Sequence, residues 1–231
     1  MNKWIYLRSN CPADALALSS VIATSRENFN IVRKSYTSQF FRGLDNVVIN
    51  FYAPAEDSEL IVIEETGSDS WKQKYDTMAS LLGVENNGSY EPYCGFAKHI
   101  VKIEERLELE SIGLLYLNPH PDQNLDLALI DNLVRLLEFQ GIKIISGGTC
   151  MLPCIKGTLD LREVVDFAVL CAILPKLQFV ITTEKSIATI CEAFNKNAFV
   201  VSHIDKLTVN GIYMSDANQI LNYINFKTKN I

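Results

Sequence analysis

Histidine is scarce in this chain, with three in 231 residues: His99, His120 and His203, far apart. A histidine-built metal centre or a Ser-His-Asp triad has little to draw on. Cysteine is present but without paired spacing, at 11, 94, 150, 154, 171 and 191. Cys150 and Cys154 form a C-x3-C, yet no second pair or nearby histidine completes a zinc site. The N-terminal apolar run, Met1 to Ser9, is too short for a signal peptide and carries Lys3 and Arg8. The thiols therefore read as reduced and the chain as cytoplasmic. No apolar stretch approaches the roughly 20 residues that span a bilayer. Positive charge is also short: 21 Lys and Arg stand against 27 Asp and Glu, a net charge of −6. That balance argues against a general nucleic-acid binder. The dinucleotide fingerprint G-x-G-x-x-G and the Walker phosphate loop are both missing.

What is there is a core-forming composition, 48% hydrophobic and 21% charged, with strand-like and helix-like segments in alternation. Trp4–Leu7, Asn46–Tyr52, Leu60–Ile63, Ile112–Leu117, Ile142–Ile145, Phe179–Thr182 and Ala198–Val201 read as strands. Ala15–Ser25, Trp71–Leu82, Phe96–Leu107, Leu125–Phe139, Leu161–Leu174, Lys185–Asn195 and Ser215–Asn225 read as helices. In the clearest helix Leu125, Leu129, Leu133, Leu136 and Leu137 share one face, and Gly141 closes it. Asp160 reads as a helix cap, with Pro175 beyond the other end. This rhythm predicts an α/β fold of mainly parallel sheets in two Rossmann-like halves. The division falls in the charged stretch Lys102–Ser111, giving halves at 1–108 and 109–231.

Parallel sheets of this kind bind ligands beyond the carboxyl ends of their strands. Four places qualify. At the first, Asp14 follows the turn Ser9-Asn10-Cys11-Pro12-Ala13 and is either a helix cap or a general base. At the second, Asn118-Pro119-His120-Pro121 leads to Asp122 and Gln123. At the third, Gly147-Gly148 is either a ligand approach or an ordinary turn. At the fourth, Thr183-Glu184-Lys185-Ser186 opens a helix. Its free amides, with the Lys185 cation, would suit an anion; the alternative is a capped helix with a solvated lysine.

Taken in order, these segments resemble the GT-B glycosyltransferases that include the lipopolysaccharide heptosyltransferases. The family's R-T-S-x-x-G-D has the spacing of Arg8-Ser9-Asn10-Cys11-Pro12-Ala13-Asp14, with Ala13 in place of glycine. Its T-S-L-R-E-L aligns with Thr158–Glu163. Its D-[ST]-G-x-x-H falls on Glu184, Lys185 and Ser186, with Thr189 on the histidine. The family's phosphate-binding lysine after the interdomain strand has no counterpart here, and the chain is shorter than typical members.

The resemblance implies a nucleotide-diphosphate sugar as donor, a hydroxyl-bearing acceptor, and inverting transfer without metal or further cofactor. Asp14 would be the catalytic base, with Ser9 and Asn10 on the acceptor side. Gly147, Gly148, Thr183, Glu184, Lys185, Ser186 and Thr189 would hold the donor. The rival expectation is a non-catalytic relic of this fold that binds a nucleotide or a partner. A third is another sugar-nucleotide enzyme on the same scaffold. No nucleic-acid or membrane partner is expected.

Overall fold

The structure is a computed structural model. It describes residues 3–32, 36–52, 60–68, 70–95, 112–118, 125–148, 153–162, 171, 173–203 and 206–229. The chain groups into two compact units, Met1–Ile100 with Phe167–Ala172, and Val101–Asp166 with Ile173–Ile231. The sequence reading divides the chain once, at residue 108; here a short later segment joins the first unit.

The first unit holds a four-stranded sheet, ordered β3-β2-β1-β4, with every pairing parallel. Its strands are β1 (Lys3–Leu7), β2 (Phe29–Val32), β3 (Val47–Asn50) and β4 (Leu60–Ile63). Helix α1 (Pro12–Thr24) begins with a proline, whose fixed φ suits the first helical position. Almost all its residues up to Ile22 are buried. Its sequence is mostly apolar with no polar face, as expected of a helix with no wet side. The hydroxyls of Ser19 and Ser20 bond back to the Leu16 carbonyl, which satisfies them inside the core. Helix α2 (Trp71–Leu82) packs on α1 and ends at Gly83, whose left-handed φ of 64° closes the helix.

The second unit holds a seven-stranded sheet, ordered β11-β10-β9-β8-β5-β6-β7. The strands β5 (Ile112–Leu117), β6 (Lys143–Gly148), β7 (Thr158–Asp160), β8 (Phe179–Thr182) and β9 (Ala198–His203) run parallel. β5 and β8 are buried nearly throughout, which is why they read as unbroken apolar runs. Gly113 in β5 is required: a Cβ there would meet the Phe179 ring at 2.6 Å. The strands β10 (Leu207–Val209) and β11 (Ile212–Tyr213) add an antiparallel hairpin. It turns through Asn210 and Gly211, both at positive φ, the pattern of a tight Asn-Gly hairpin.

Helices α3 (Leu127–Phe139) and α5 (Ala217–Thr228) pack together on one face. Leu133, Val134 and Leu137 join Ile220, Leu221 and Ile224 in the core. Each helix is capped by an aspartate that accepts from the amide three residues on: Asp126 from Leu129, Asp216 from Gln219. Helix α4 (Lys185–Ala193) follows β8. Among the described residues no helix is long and apolar enough to cross a membrane.

Asp160 ends β7, whose register against β6 pairs Ser146 with Asp160, and its carboxylate accepts from the Arg162 amide at 3.1 Å. The expected helices at 96–107 and over most of 161–174 lie outside the described residues, as do residues 119–124 of the second strand-end loop.

Candidate functional site

In the first unit the site begins where β1 ends. The amides of Arg8 and Ser9 both donate to the Ile63 carbonyl at the end of β4, at 2.8 and 3.3 Å. This turns the chain off the sheet at its carboxyl edge. The Ser9 hydroxyl accepts from the Cys11 amide at 3.0 Å and donates to Asp14 Oδ2 at 2.6 Å. The cap of α1 is Cys11; Asp14 lies within the first helical turn, where the positive end of the helix dipole favours its charge. The reading of Asp14 as the cap is therefore corrected.

Asp14 is completely buried, and so is Lys74 of α2 at 3% exposure. Lys74 Nζ lies 2.6 Å from Asp14 Oδ1. Thr66, on the loop from β4 to α2, completes the group. Its hydroxyl donates to Asp14 Oδ1 at 2.7 Å and accepts from Lys74 Nζ at 2.8 Å. Its amide donates to Asp14 Oδ2 at 3.3 Å. Asp14 thus accepts four hydrogen bonds. A buried ion pair withstands its desolvation only when hydrogen-bonded this fully.

Lys74 and Thr66 escape the sequence reading, yet one signal for Lys74 was there. Trp71, Lys74, Tyr75, Met78, Ala79 and Leu82 form one helical stripe, all buried. A lysine within an otherwise apolar stripe calls for a buried carboxylate partner. Of the residues expected on the acceptor side, Ser9 is buried against Asp14 and Asn10 is exposed. Cys11 sits half-buried beside them. Burial pushes its thiol up, the Asp14 charge adds to this, and Lys74 opposes it.

In the second unit the expected donor residues gather at the carboxyl edge around β5, β6 and β8. Asn118, just past β5, donates its amide to the Thr183 hydroxyl at 2.9 Å and its side chain to Glu184. The Ser186 hydroxyl donates to the other Glu184 oxygen at 3.1 Å. The Glu184 carboxylate thereby stands over the start of α4, bonded to side chains rather than to the helix amides. Lys185 is exposed. Thr189 is buried, and its hydroxyl bonds back to the Lys185 carbonyl at 3.2 Å, so it faces into the unit. Gly147 pairs with Tyr116 inside the sheet. Gly148 is needed for its own strand: its φ is +102°, and a Cβ would lie 2.3 Å from the Leu117 carbonyl oxygen.

The same edge carries an ion pair within the segment Thr158–Glu163. Asp160 receives Nε and Nη2 of the nearly buried Arg162 at 2.8 and 2.7 Å. That guanidinium holds the Asp160 carboxyl well below the usual range. Arg162 also donates to the Pro153 carbonyl at 3.2 Å, tying down the segment before β7. Among the described residues of this unit, two open cavities are seen. One of about 410 Å³ is at the amino ends of β8 and β9, between Lys176 and Lys196. One of about 210 Å³ lies between Asp126, Lys206 and Tyr213. Neither is lined by a residue of the expected site.

No family model and no curated protein matches the chain. Solved structures do. The E. coli heptosyltransferase WaaC with ADP is similar at 12% identity and a TM-score of 0.63, over 99% of this chain and 98% of that one. The same enzyme with ADP-2-deoxy-2-fluoro heptose is similar at 13% identity and 0.61, over 98% and 100%. The glycosyl transferase family 9 structure from Veillonella parvula DSM 2008 is similar at 8% identity and 0.59, over 85% and 80%. The chain therefore has the α/β, mainly parallel fold of the heptosyltransferase-like GT-B proteins, as the sequence resemblance implied.

Proposed function

We propose that the chain is a glycosyltransferase that moves a sugar from a nucleotide-diphosphate donor to an acceptor hydroxyl, with inversion and without a metal ion. The observation that carries this is Asp14. An ionisable carboxylate, with a buried cation and two hydroxyls around it, stands directly beyond the carboxyl end of β1 in a fold shared with heptosyltransferases.

On this reading Asp14 removes the acceptor proton while the diphosphate departs. The helix-start turn Thr183–Ser186, with Lys185, stabilises the leaving charge. ADP-heptose is the first donor to try, because the similar heptosyltransferase was solved with ADP and an ADP-heptose analogue. The test is release of ADP from ADP-heptose, with and without a sugar acceptor. Asp14→Asn should lower release by roughly two to four orders of magnitude at equal folded fraction. Unchanged release would end the mechanism.

A second reading, a non-catalytic binding module, is favoured by Glu184. Its carboxylate puts a negative charge at the start of α4, where a diphosphate would otherwise bind. On this reading ADP-heptose is not consumed, and any nucleotide raises thermal stability without turnover.

A further inference from the structure

Asp14 in this structure has no free acceptor position. Its four bonds come from Ser9, Lys74 and, twice, Thr66. A base must lie about 2.6–3.2 Å from the proton-bearing atom it serves. An incoming hydroxyl therefore has to replace one of these donors. Ser9 and Lys74 are each 3% exposed and lie behind the surface. Thr66 alone of the three is half-exposed, on a loop whose neighbours Glu65 and Gly67 are both exposed. Gly67 has a φ of +62°, and among the described residues nothing lies within 4 Å of where its Cβ would point.

The bond that Thr66 makes is also the bond a substrate would make. Its hydroxyl is a secondary alcohol donating to Asp14 Oδ1 at 2.7 Å, with Lys74 Nζ donating to its oxygen at 2.8 Å. We infer that Thr66 is the internal stand-in for the acceptor, and that the acceptor alcohol binds by taking the place of the Thr66 hydroxyl. This rests on the glycosyl-transfer reading given above. Lys74 is then a positioning residue: it stays behind and donates to the acceptor oxygen. In the reaction the acceptor O–H proton passes to Asp14 Oδ1. The acceptor oxygen bonds to the anomeric carbon, and the bond from that carbon to the diphosphate oxygen breaks, its electron pair leaving on the diphosphate.

Two readouts on the full chain test this. The first needs no substrate: carbodiimide coupling of glycine ethyl ester to carboxylates, mapped by mass spectrometry. Asp14 in the wild type should be protected relative to the exposed Glu64 and Glu65. In Thr66→Ala its labelling should rise on the order of tenfold or more, since a sealed group reacts only through rare openings. Thr66→Val, which keeps the shape without the hydroxyl, should stay protected. If Thr66→Ala does not fold, Thr66→Ser takes its place, and its smaller side chain should give a lesser rise. Labelling that does not rise in whichever of these folds overturns the inference, and so does free labelling of the wild type.

The second readout is ADP released from ADP-heptose with water as the only acceptor. Release should increase in Thr66→Ala, where water can reach Asp14, and fall in Thr66→Val. Labelling that behaves as expected while no variant releases ADP under any condition leaves Thr66 as the cover of Asp14 but refutes the glycosyl-transfer reading. Release that is unchanged between wild type and Thr66→Ala refutes the stand-in role while leaving that reading intact.

Discussion

Replacing Asp14 by asparagine should destabilise the first unit, not merely silence it. By shape alone the substitution is conservative. The environment makes it severe, because Lys74 stays in place as an ammonium at 3% exposure with its carboxylate partner gone. The Coulomb attraction across 2.6 Å is about 6 kcal/mol at an effective dielectric near 20. Much of that is offset by the desolvation both ions suffer on folding. Removing one member of a buried pair nonetheless costs about 3–5 kcal/mol, because the other is left uncompensated. A domain is stable by only about 5–15 kcal/mol, so the loss is a large fraction. The asparagine amide adds a further conflict, since it must point its own N–H groups at one pair of donors among Ser9, Thr66 and Lys74.

The assay is urea unfolding followed by tryptophan emission. Trp4 in β1 and Trp71 in α2 are the chain's two tryptophans, and both belong to the first unit. The expected order is wild type above Lys74→Met and Asp14→Asn, with the double variant losing about 2–3 kcal/mol less than the sum of the two singles. Additive losses, or Asp14→Asn within about 1 kcal/mol of the wild type, would refute the buried pair as the support of this unit. The same result governs the activity test: turnover of Asp14→Asn is meaningful only at equal folded fraction.

Three further expectations concern the second unit. Glu184→Gln should tighten ADP binding, measured by calorimetry at low salt, because a like charge leaves the start of α4; unchanged affinity would separate that turn from nucleotide binding. The Asp160–Arg162 pair should show in the acid limb of stability. Asp160 is held below its unfolded value of about 3.9, so its contribution is complete above that pH and fades as pH falls below it. The stability gap between wild type and Asp160→Asn should therefore be widest near neutrality and close in acid; a gap independent of pH would contradict the pair. Gly148→Ala should cost about 2 kcal/mol or more, through positive φ and the clash with Leu117, and a neutral result in thermal melts would contradict that geometry.

Much of the architecture is written locally. The apolar runs Leu60–Ile63 and Phe179–Thr182, and the stripe from Trp71 to Leu82, mark elements whose boundaries the structure reproduces. In those segments periodicity and β-branching agree with the burial that tertiary contacts impose. Asn210-Gly211 carried an equally local hairpin signal that went unread. The strand Phe29–Val32 was invisible for a different reason. It has four residues and no flanking pattern, and it exists because β1 pairs with it from Lys3 to Tyr6.

At the candidate site the division is sharper. The position of Asp14 after the first strand follows from the order of residues along the chain. Its surroundings do not: Thr66 lies 52 residues away and Lys74 lies 60. That Asp160 stands at a strand end follows from pairing with β6, and that Gly148 has no room for a Cβ follows from the approach of β5. Local sequence decides which backbone states are favourable, because propensity and pattern act within a few residues. Which charges meet, and whether they meet in water or out of it, depends on chain segments brought together only when the whole unit folds.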